Sequence, residues 1–238
     1  MASEAHSAAA FYATPRGAMV ARLLRERLAA LWPAMDGFDV LGIGYAAPYL
    51  RPWREQARRC IALTPAQTSV VHWPAGLPNL SCAGEEDALP FPDLCFDRVL
   101  LVHGLESAEH GRKLLREIWR VLKDDGQLLV VTPNRRGMWA YLESTPFGHG
   151  QPYSPGQITR LLASALFRVK RRDAALFMPP VRLRPMVRGA RAWERGARRV
   201  LPHAVAGLTI TEATKDLYAV TPAGAPRRHR RVVVTEAA

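Results

Sequence analysis

His103 and Glu106 are the pair of side chains in this sequence best suited to proton transfer. They lie three residues apart, directly after the apolar run from Val99 to Val102. An imidazole can take up or release a proton near neutral pH, and a neighbouring carboxylate can orient it. We therefore predict that His103 is a general base or positions the substrate, and that Glu106 orients it. A strand-end histidine bonded to backbone and a solvated carboxylate are the structural alternatives.

The glycine turn from Gly42 to Gly44 is a second feature with chemical potential. Glycines let the backbone approach a ligand closely, and a following helix offers free N–H groups, so such turns are typical of nucleoside cofactor sites. Ala47 takes the sixth position of the turn, which the dinucleotide fingerprint permits, so the spacing alone gives a weak match to that fingerprint. The usual acidic partner of the ribose is also missing, since Leu63 and Thr64 end the next strand. A tight structural turn is equally consistent with these residues.

The elements that must position these residues are predicted to be helices and strands that alternate along the chain. Periodicity and turn residues predict helices over 14–32, 48–59, 108–122, 154–166 and 181–201, the last broken near Pro185 and Gly189. Short aliphatic runs predict strands over 38–44, 60–63, 69–73, 97–103, 127–132, 167–171 and 208–221, the last as one or two strands, with a turn over 123–126. This alternation predicts parallel βαβ units in a doubly wound α/β sheet whose strands are buried on both faces.

Composition places the chain among ordinary globular proteins. Its 238 residues are 48% hydrophobic and 23% charged, which excludes collagen-like, coiled-coil and wholly disordered classes. We expect one domain over 1–221, with a basic helical insertion over 181–205 and a basic, disordered tail over 222–238. No apolar run approaches a membrane span, and the N-terminal residues lack the pattern of a secretory signal. Three cysteines without a CxxC pair add to the expectation of a reduced, cytoplasmic protein.

The formal net charge of +12 belongs entirely to the C-terminal part of the chain. Residues 1–150 carry 16 basic and 16 acidic side chains, so the arginine-rich segment after them supplies the whole excess. Such a surface suits an anionic partner, and residues 181–199 could contact a membrane surface or an acidic partner. A solvated arginine surface is the simpler alternative, and no RNA-binding or zinc-finger motif supports a nucleic-acid partner.

Two longer segments resemble class I S-adenosylmethionine-dependent methyltransferases. The first runs from Glu85 through the Leu89-Pro90-Phe91 turn to Glu106, and the second is Leu115–Asn134, with its Arg120-Val121-Leu122-Lys123 run. Residues 38–63 match more weakly. Residues 146–157 resemble a bacterial subgroup of these proteins whose substrates are poorly defined.

The resemblance implies a Rossmann-like, seven-stranded, mostly parallel sheet with an antiparallel last strand. It also implies S-adenosylmethionine as cofactor, bound over the carboxyl ends of the first four strands. The positions that correspond to cofactor contacts are Tyr12, Gly42, Gly44, Ala46, Leu63, Glu85, Glu86 and His103. Arg16 is a looser candidate for the methionine carboxylate.

Two departures from the family pattern concern acidic residues. Gly42 stands where the first motif usually carries an acid, and Leu63-Thr64 stand where an acid usually binds the ribose. A lost charged hydrogen bond of about 2–3 kcal/mol would weaken cofactor binding about tenfold to a hundredfold. The sequence therefore leaves two functions open: methyl transfer to a small-molecule or lipid-like acceptor, and an inactive methyltransferase fold that serves as a binding or scaffold protein.

Acceptor contacts are expected on the loops after the fifth strand. Arg135 or Arg136 could bind a carboxylate or phosphate of the acceptor. His149 and Tyr153 lie in a loop rich in glycine and proline that could cover the substrate. A surface arginine and a structural loop are the alternatives. A nucleic-acid methyltransferase is a third and weaker possibility, which predicts salt-dependent binding. We predict no metal site, because His, Cys and carboxylates do not recur at ligand spacing.

Overall fold

The computed structural model describes residues 8–66, 72–142, 145–148, 150–180 and 184–218. A helical segment at residues 8–12 precedes the main elements. The strands are β1 (Asp39–Gly44), β2 (Arg59–Pro65), β3 (Ser81–Gly84), β4 (Phe96–Val102), β5 (Leu122–Pro133), β6 (Phe167–Ala175) and β7 (Leu208–Lys215). The α-helices are α1 (Pro15–Leu31), α2 (Ala47–Leu50), α3 (Gly111–Val121), α4 (Pro155–Ser164) and α5 (Arg184–Val200).

All seven strands form one sheet in the order β3-β2-β1-β4-β5-β7-β6. β7 runs antiparallel to both of its neighbours, and the other pairings are parallel. This sheet confirms the predicted fold class. The strand order reverses between β1 and β4, and the crevice beyond the carboxyl ends at such a switch point is the usual ligand site of an open α/β sheet.

Two apolar layers cover the sheet. On one face α1 buries Val20, Leu24 and Leu28 in a cluster that includes residues of the β1–α2 turn. On the other face α3 and α4 bury Leu115, Ile118 and their neighbours. Because the apolar strands are covered on both sides, their sequences lack alternation.

The predicted helix over residues 48–59 is wrong for most of its length. Only Ala47–Leu50 is α-helical, and the chain continues in turns to residue 58. Pro52 has no N–H with which to continue the helix, so the carbonyl of Pro48 loses its partner within the chain segment. Arg25 Nε donates to that carbonyl instead, at 3.1 Å.

Three other local predictions also need correction. The third strand is Ser81–Gly84 at the sheet edge, whereas 69–73 contains no strand in its described part, 72–73, and 69–71 lie outside the described residues. The small residues of this short edge strand give no clear hydrophobic pattern from which a strand could be predicted. Residues 123–126 lie within β5 at a register shift, where Phe96 pairs with Leu122 but Arg98 with Gln127. The helix over 184–200 is unbroken, because Pro185 falls in its first turn.

Part of the C-terminal basic charge is neutralised inside the fold. The buried carboxylate of Asp173 on β6 accepts from Arg27 of α1 and, at 2.7 Å, from Arg198 of α5. Glu194 of α5 accepts the backbone N–H groups of Leu176 and Phe177, both at 2.8 Å. These bonds fasten α5 to β6 and α1.

Asp173→Asn should lower the free energy of unfolding at pH 7 by about 2–4 kcal/mol, because two guanidinium groups lose a buried counter-charge. Burial raises the pKa of Asp173, but the hydrogen bond and charge of Arg27, with Arg198, hold it below the ordinary 3.8. The carboxylate therefore stabilises the fold above that pH and loses its contribution as the pH falls through the folded-state pKa. Urea denaturation from pH 7 downward measures the gap between the two proteins, which should narrow in acid. Asp36→Asn, at an exposed position, is the control, and a gap independent of pH would contradict the assignment.

Candidate active site

The turn after β1 brings the carboxyl ends of β1 and β4 into close contact. Gly44 has φ +76°, and the Tyr45 N–H donates to the Val102 carbonyl at 2.8 Å. A Cβ on Gly44 would lie 2.5 Å from that carbonyl oxygen and 3.1 Å from the Cα of Gly104. Only glycine fits a left-handed backbone this close to another strand.

His103 is the first residue after β4 and is held on both sides by hydrogen bonds. Its Nδ1 lies 2.6 Å from Glu106 Oε1, and its Nε2 lies 2.8 Å from the hydroxyl of Tyr12. All three side chains are buried. The structure therefore brings together the two predicted catalytic residues and adds Tyr12, which is 91 positions away from His103 in the sequence.

The direction of these hydrogen bonds follows from the chemistry of the partners. An ionised carboxylate only accepts, so beside one Nδ1 donates to Glu106, and the Nε2 of a neutral imidazole accepts from the Tyr12 hydroxyl. Burial raises the pKa of Tyr12 well above its ordinary value, so the phenol keeps its proton at neutral pH. Tyr12 can therefore pass its proton to His103 only as it receives another, and Glu106 then balances the positive charge on the imidazole.

The backbone at His103 is strained. Its φ of +52° lies in the left-handed region, which costs a residue with a Cβ about 1–2 kcal/mol. Such outliers persist where the surroundings hold them, and they concentrate at functional sites. Here the hydrogen bonds of the imidazole on both ring nitrogens hold the conformation.

Aromatic rings enclose the Tyr12–His103 contact. Tyr12 stacks on Tyr45 with ring centroids 4.8 Å apart, and Tyr49 meets Tyr12 edge to face. Phe147 lies 5.4 Å from the imidazole ring. The short segment that carries Tyr12 is held by Thr14, whose side chain caps α1 by accepting from the Gly17 N–H at 3.0 Å.

One buried oxygen beside this contact, Oε2 of Glu106, has no hydrogen-bond partner among the described residues. An unpaired buried oxygen costs free energy, and in a native protein it indicates a ligand or a water. A carboxylate oxygen and several aromatic faces form an electron-rich lining that suits a cation.

The other residues that were predicted to contact the cofactor differ in their burial and in their neighbours. Gly42 and Ala46 pack against each other beneath the turn, because a Cβ on Gly42 would lie 2.7 Å from the Ala46 Cβ. Leu63 is buried near the end of β2, and the partly exposed Thr64 and Pro65 follow it. Glu85 is exposed. Glu86 is partly buried; burial raises its pKa, and the N–H of Glu109 acts in the opposite direction.

Arg120 of α3 anchors the segment that follows the acidic loop. It donates to the carbonyls of Leu89 at 3.0 Å and Phe91 at 2.8 Å, and it pairs with Glu117 and Asp93. Glu117 in turn accepts the Leu89 N–H at 2.9 Å. The strong Leu89-Pro90-Phe91 signal in the sequence therefore corresponds to a fixed connection into β4.

The loop after β5 returns to the same edge of the sheet. Tyr153 bridges to Asn134 and lies with its hydroxyl 3.5 Å from the Leu105 carbonyl. Burial raises the pKa of Tyr153, and the charge of Glu106 adds to this. Arg135 is exposed beside it, and His149 lies outside the described residues. Tyr153 therefore joins the surroundings of Glu106.

A cleft of about 540 Å³ opens on the α1 side of the Tyr12–Tyr45 stack. It is lined by Tyr12, Ala18, Ala21, Arg22, Arg25, Glu26, Tyr45, Pro48 and Arg191. Among these residues the sequence pointed to Tyr12 as a cofactor contact and to Arg191 only as part of the basic segment 181–199. Tyr45 had a usable signal, because it directly follows the glycine turn, whereas the arginines come from two helices whose contact no local pattern predicts.

The described residues contain neither a metal-binding cluster nor a membrane-spanning helix. No three His, Cys, Asp or Glu side chains gather there in a way that could hold a metal ion. In the same part of the chain, every helix is too short or too polar to cross a membrane.

Comparison with known proteins gives a consistent family. Residues 39–130 match the family described as Methyltransferase domain. A protein of Mycobacterium tuberculosis H37Rv, named probable S-adenosylmethionine-dependent methyltransferase, is 31% identical over 150 residues, which are 61% of this chain and 53% of that protein. The ubiquinone/menaquinone biosynthesis C-methyltransferase of Bordetella avium is 46% identical over 59 residues, 25% of this chain and 22% of that enzyme.

Solved structures share the fold at low identity. A methyltransferase from Archaeoglobus fulgidus described as dependent on S-adenosylmethionine has a TM-score of 0.57 at 17% identity and covers 82% of this chain and 94% of its own. Its counterpart from Aquifex aeolicus scores 0.53 at 17% identity, over 80% and 89%. The chain spans about half the length of the curated relatives that it matches over the longest stretches.

Proposed function

We propose that this chain, whose residues 39–130 match the methyltransferase-domain family, is a class I S-adenosylmethionine-dependent methyltransferase that transfers a methyl group to a small-molecule or lipid-like acceptor. The observation that carries the proposal is the buried Tyr12–His103–Glu106 chain at the carboxyl end of β4. It supplies a path for the proton that a protonated acceptor must lose. The fold alone would supply no such path.

The residues at the strand ends suit S-adenosylmethionine. Its cationic sulfonium matches the electron-rich lining made by the unpaired Glu106 oxygen and the tyrosine rings. The turn at Gly44 and Tyr45, together with His103 and Gly104, would hold the methionine part, and Glu86 would face the adenine. When bound, the cofactor supplies an electrophilic methyl group.

Tyr12 and His103 would move the acceptor proton in two linked transfers. The Tyr12 oxygen takes the proton of the acceptor while the Tyr12 proton passes to Nε2 of His103. Glu106 stabilises the imidazolium that forms, because its Oε1 lies 2.6 Å from Nδ1. The surrounding rings exclude water, which strengthens these charge interactions.

The acceptor is proposed only as a class. The Bordetella relative, which matches a quarter of this chain, is named as a C-methyltransferase of ubiquinone/menaquinone biosynthesis. That match favours a small organic acceptor whose ionisable proton Tyr12 could receive, and C-methylation is the finer form of the proposal.

Calorimetric titration of the folded protein with S-adenosylmethionine and S-adenosylhomocysteine tests the premise. We expect micromolar affinity for both. The lack of an acidic side chain at Leu63 and Thr64 favours the second candidate function, an inactive scaffold. Absence of binding at millimolar ligand would contradict methyl transfer and leave that second function.

Thr64→Asp should tighten S-adenosylhomocysteine binding about tenfold. Thr64 is partly exposed at the end of β2, where the family pattern places the acid that binds the ribose, and a charged hydrogen bond is worth about 1.5–3 kcal/mol. Ala66→Asp adds the same charge two residues further along and should change affinity less than twofold. Equal effects of both variants would show that only general electrostatics had changed.

A further inference from the structure

The cleft beside the Tyr12–Tyr45 stack has an unusual balance of charge. Three guanidinium groups and one carboxylate line it, and Ala18, Ala21 and Pro48 form its apolar walls. The carboxylate, Glu26, pairs with both Arg22, at 3.5 Å, and Arg191. Its single charge therefore leaves an excess of two positive charges in the cleft.

Arg25 is the cation that the cleft does not neutralise. It is partly buried, and its one hydrogen bond among the described residues runs from Nε to the Pro48 carbonyl. No carboxylate in the described part of the chain lies within ion-pair distance of it. Burial lowers the pKa of Arg25, and the like charge of Arg51 lowers it further. A partly desolvated cation in this position is stabilised by any anion that reaches it.

The remaining donors of Arg25 suit an anion with several oxygens. Nε is used by the Pro48 carbonyl, which leaves the terminal nitrogens of the guanidinium for a ligand. Planar guanidinium groups bind phosphate and carboxylate oxygens through paired hydrogen bonds. Arg22 and Arg191 line the same cleft from α1 and α5, so a bound oxyanion would meet donors from two helices.

Tyr12 connects this cleft to the proton path. Its side chain lines the cleft and also contacts His103. A molecule held in the cleft by its anionic group would therefore lie next to the residue that is to receive its proton.

We propose that this cleft binds a phosphate or carboxylate group of the methyl acceptor, with Arg25 as the principal ligand and Arg22 and Arg191 as supporting ones. The acceptor part of this assignment rests on the proposed function. Binding of the oxyanion itself does not, and the two can be tested separately.

The test is a titration of the isotope-labelled protein with inorganic phosphate at constant ionic strength, followed by amide NMR shifts. We expect saturable shifts at Tyr12, Tyr45 and Arg25, and at least tenfold weaker binding in Arg25→Gln. Arg160→Gln removes an exposed arginine of α4 on the opposite face and should change the affinity less than twofold. Absence of saturable shifts in the folded protein, or an equal loss in Arg160→Gln, would overturn the site.

Two further arms identify the source of the oxyanion. Co-sedimentation with phosphatidylglycerol vesicles, but not phosphatidylcholine vesicles, that is lost in Arg25→Gln would assign it to a lipid headgroup. Phosphate shifts without vesicle binding would assign it to a free metabolite.

Saturation with S-adenosylhomocysteine separates this inference from the proposed function. If phosphate still binds to the loaded protein, the acceptor assignment is supported. If S-adenosylhomocysteine excludes phosphate, the arginines bind the carboxylate of the cofactor, and the acceptor assignment is overturned. Phosphate binding by a protein that takes no S-adenosylhomocysteine would keep the oxyanion site and contradict methyl transfer.

Discussion

Tyr12→Phe should lower kcat about a hundredfold to a thousandfold and leave the affinity for S-adenosylhomocysteine within threefold of the original. The variant keeps the ring that stacks on Tyr45 and removes the hydroxyl that bonds to His103 Nε2 at 2.8 Å. General acid–base catalysis contributes about 10²–10⁴ in rate, so losing the first transfer should cost most of that range. The measurement is transfer of label from methyl-labelled S-adenosylmethionine into a deproteinised small-molecule extract.

Three comparisons separate a proton-transfer role of Tyr12 from a structural one. Tyr141→Phe removes an exposed hydroxyl and should leave the rate unchanged. His103→Gln should lower kcat by a similar factor, because both residues belong to one path, and the double variant should lose little more than either single one. A Tyr12→Phe enzyme that keeps its kcat would show that the hydroxyl only holds His103 in place.

The central sheet could be predicted because its signals are local. Aliphatic runs without alternation identified β1, β2, β4 and the core of β5, and apolar residues at helical spacing identified α1 within one residue at each end. An unbroken aliphatic run reflects a strand that is buried on both faces, and helical spacing of apolar residues reflects a helix that is buried on one face. Both patterns can be read from the sequence of the element itself. The prediction of a long helix after β1 failed because Pro52 ends that helix. The proline was a local signal, but the prediction gave more weight to the helical periodicity.

The site was predicted in parts but not as an arrangement. His103 and Glu106 are near each other in sequence, so their contact follows from one turn of chain. The bond from Tyr12 to His103 instead depends on how the segment before α1 crosses the ends of β1 and β4. The cleft arginines depend on a contact between α1 and α5, whose partners Glu26 and Arg191 are 165 positions apart. Tertiary packing of this kind leaves no periodic signal in the sequence.

The resemblance to methyltransferases could not show what each glycine does. Both glycines of the turn match the cofactor motif by position, yet Gly42 makes room for Ala46 and Leu50, whereas Gly44 makes room for the backbone of β4. The distinction matters for experiments, because a substitution at Gly42 disturbs packing beneath the turn. A substitution at Gly44 moves the two strand ends that frame the proposed cofactor site.

Gly44→Ala should abolish detectable S-adenosylhomocysteine binding, a loss of at least a hundredfold, and destabilise the fold by about 3–5 kcal/mol. The added Cβ would lie 2.5 Å from the Val102 carbonyl oxygen, which is backbone and cannot rotate away. It would also occupy a left-handed conformation that costs about 1–2 kcal/mol by itself. Relief of the overlap must separate β1 from β4 next to His103 and Gly104. Calorimetry and urea denaturation measure the two effects.

Gly37→Ala provides a matched control for the conformational part of this cost. Gly37 has φ +74°, nearly the value at Gly44, but a Cβ there would meet no atom within 4 Å. The control should therefore lose only about 1–2 kcal/mol and bind S-adenosylhomocysteine normally. The difference between the two variants measures what the close approach of β1 and β4 requires. Equal destabilisation, or a Gly44→Ala protein that still binds, would mean that the strand ends can separate without disturbing the site, and the cofactor would then have to contact other residues.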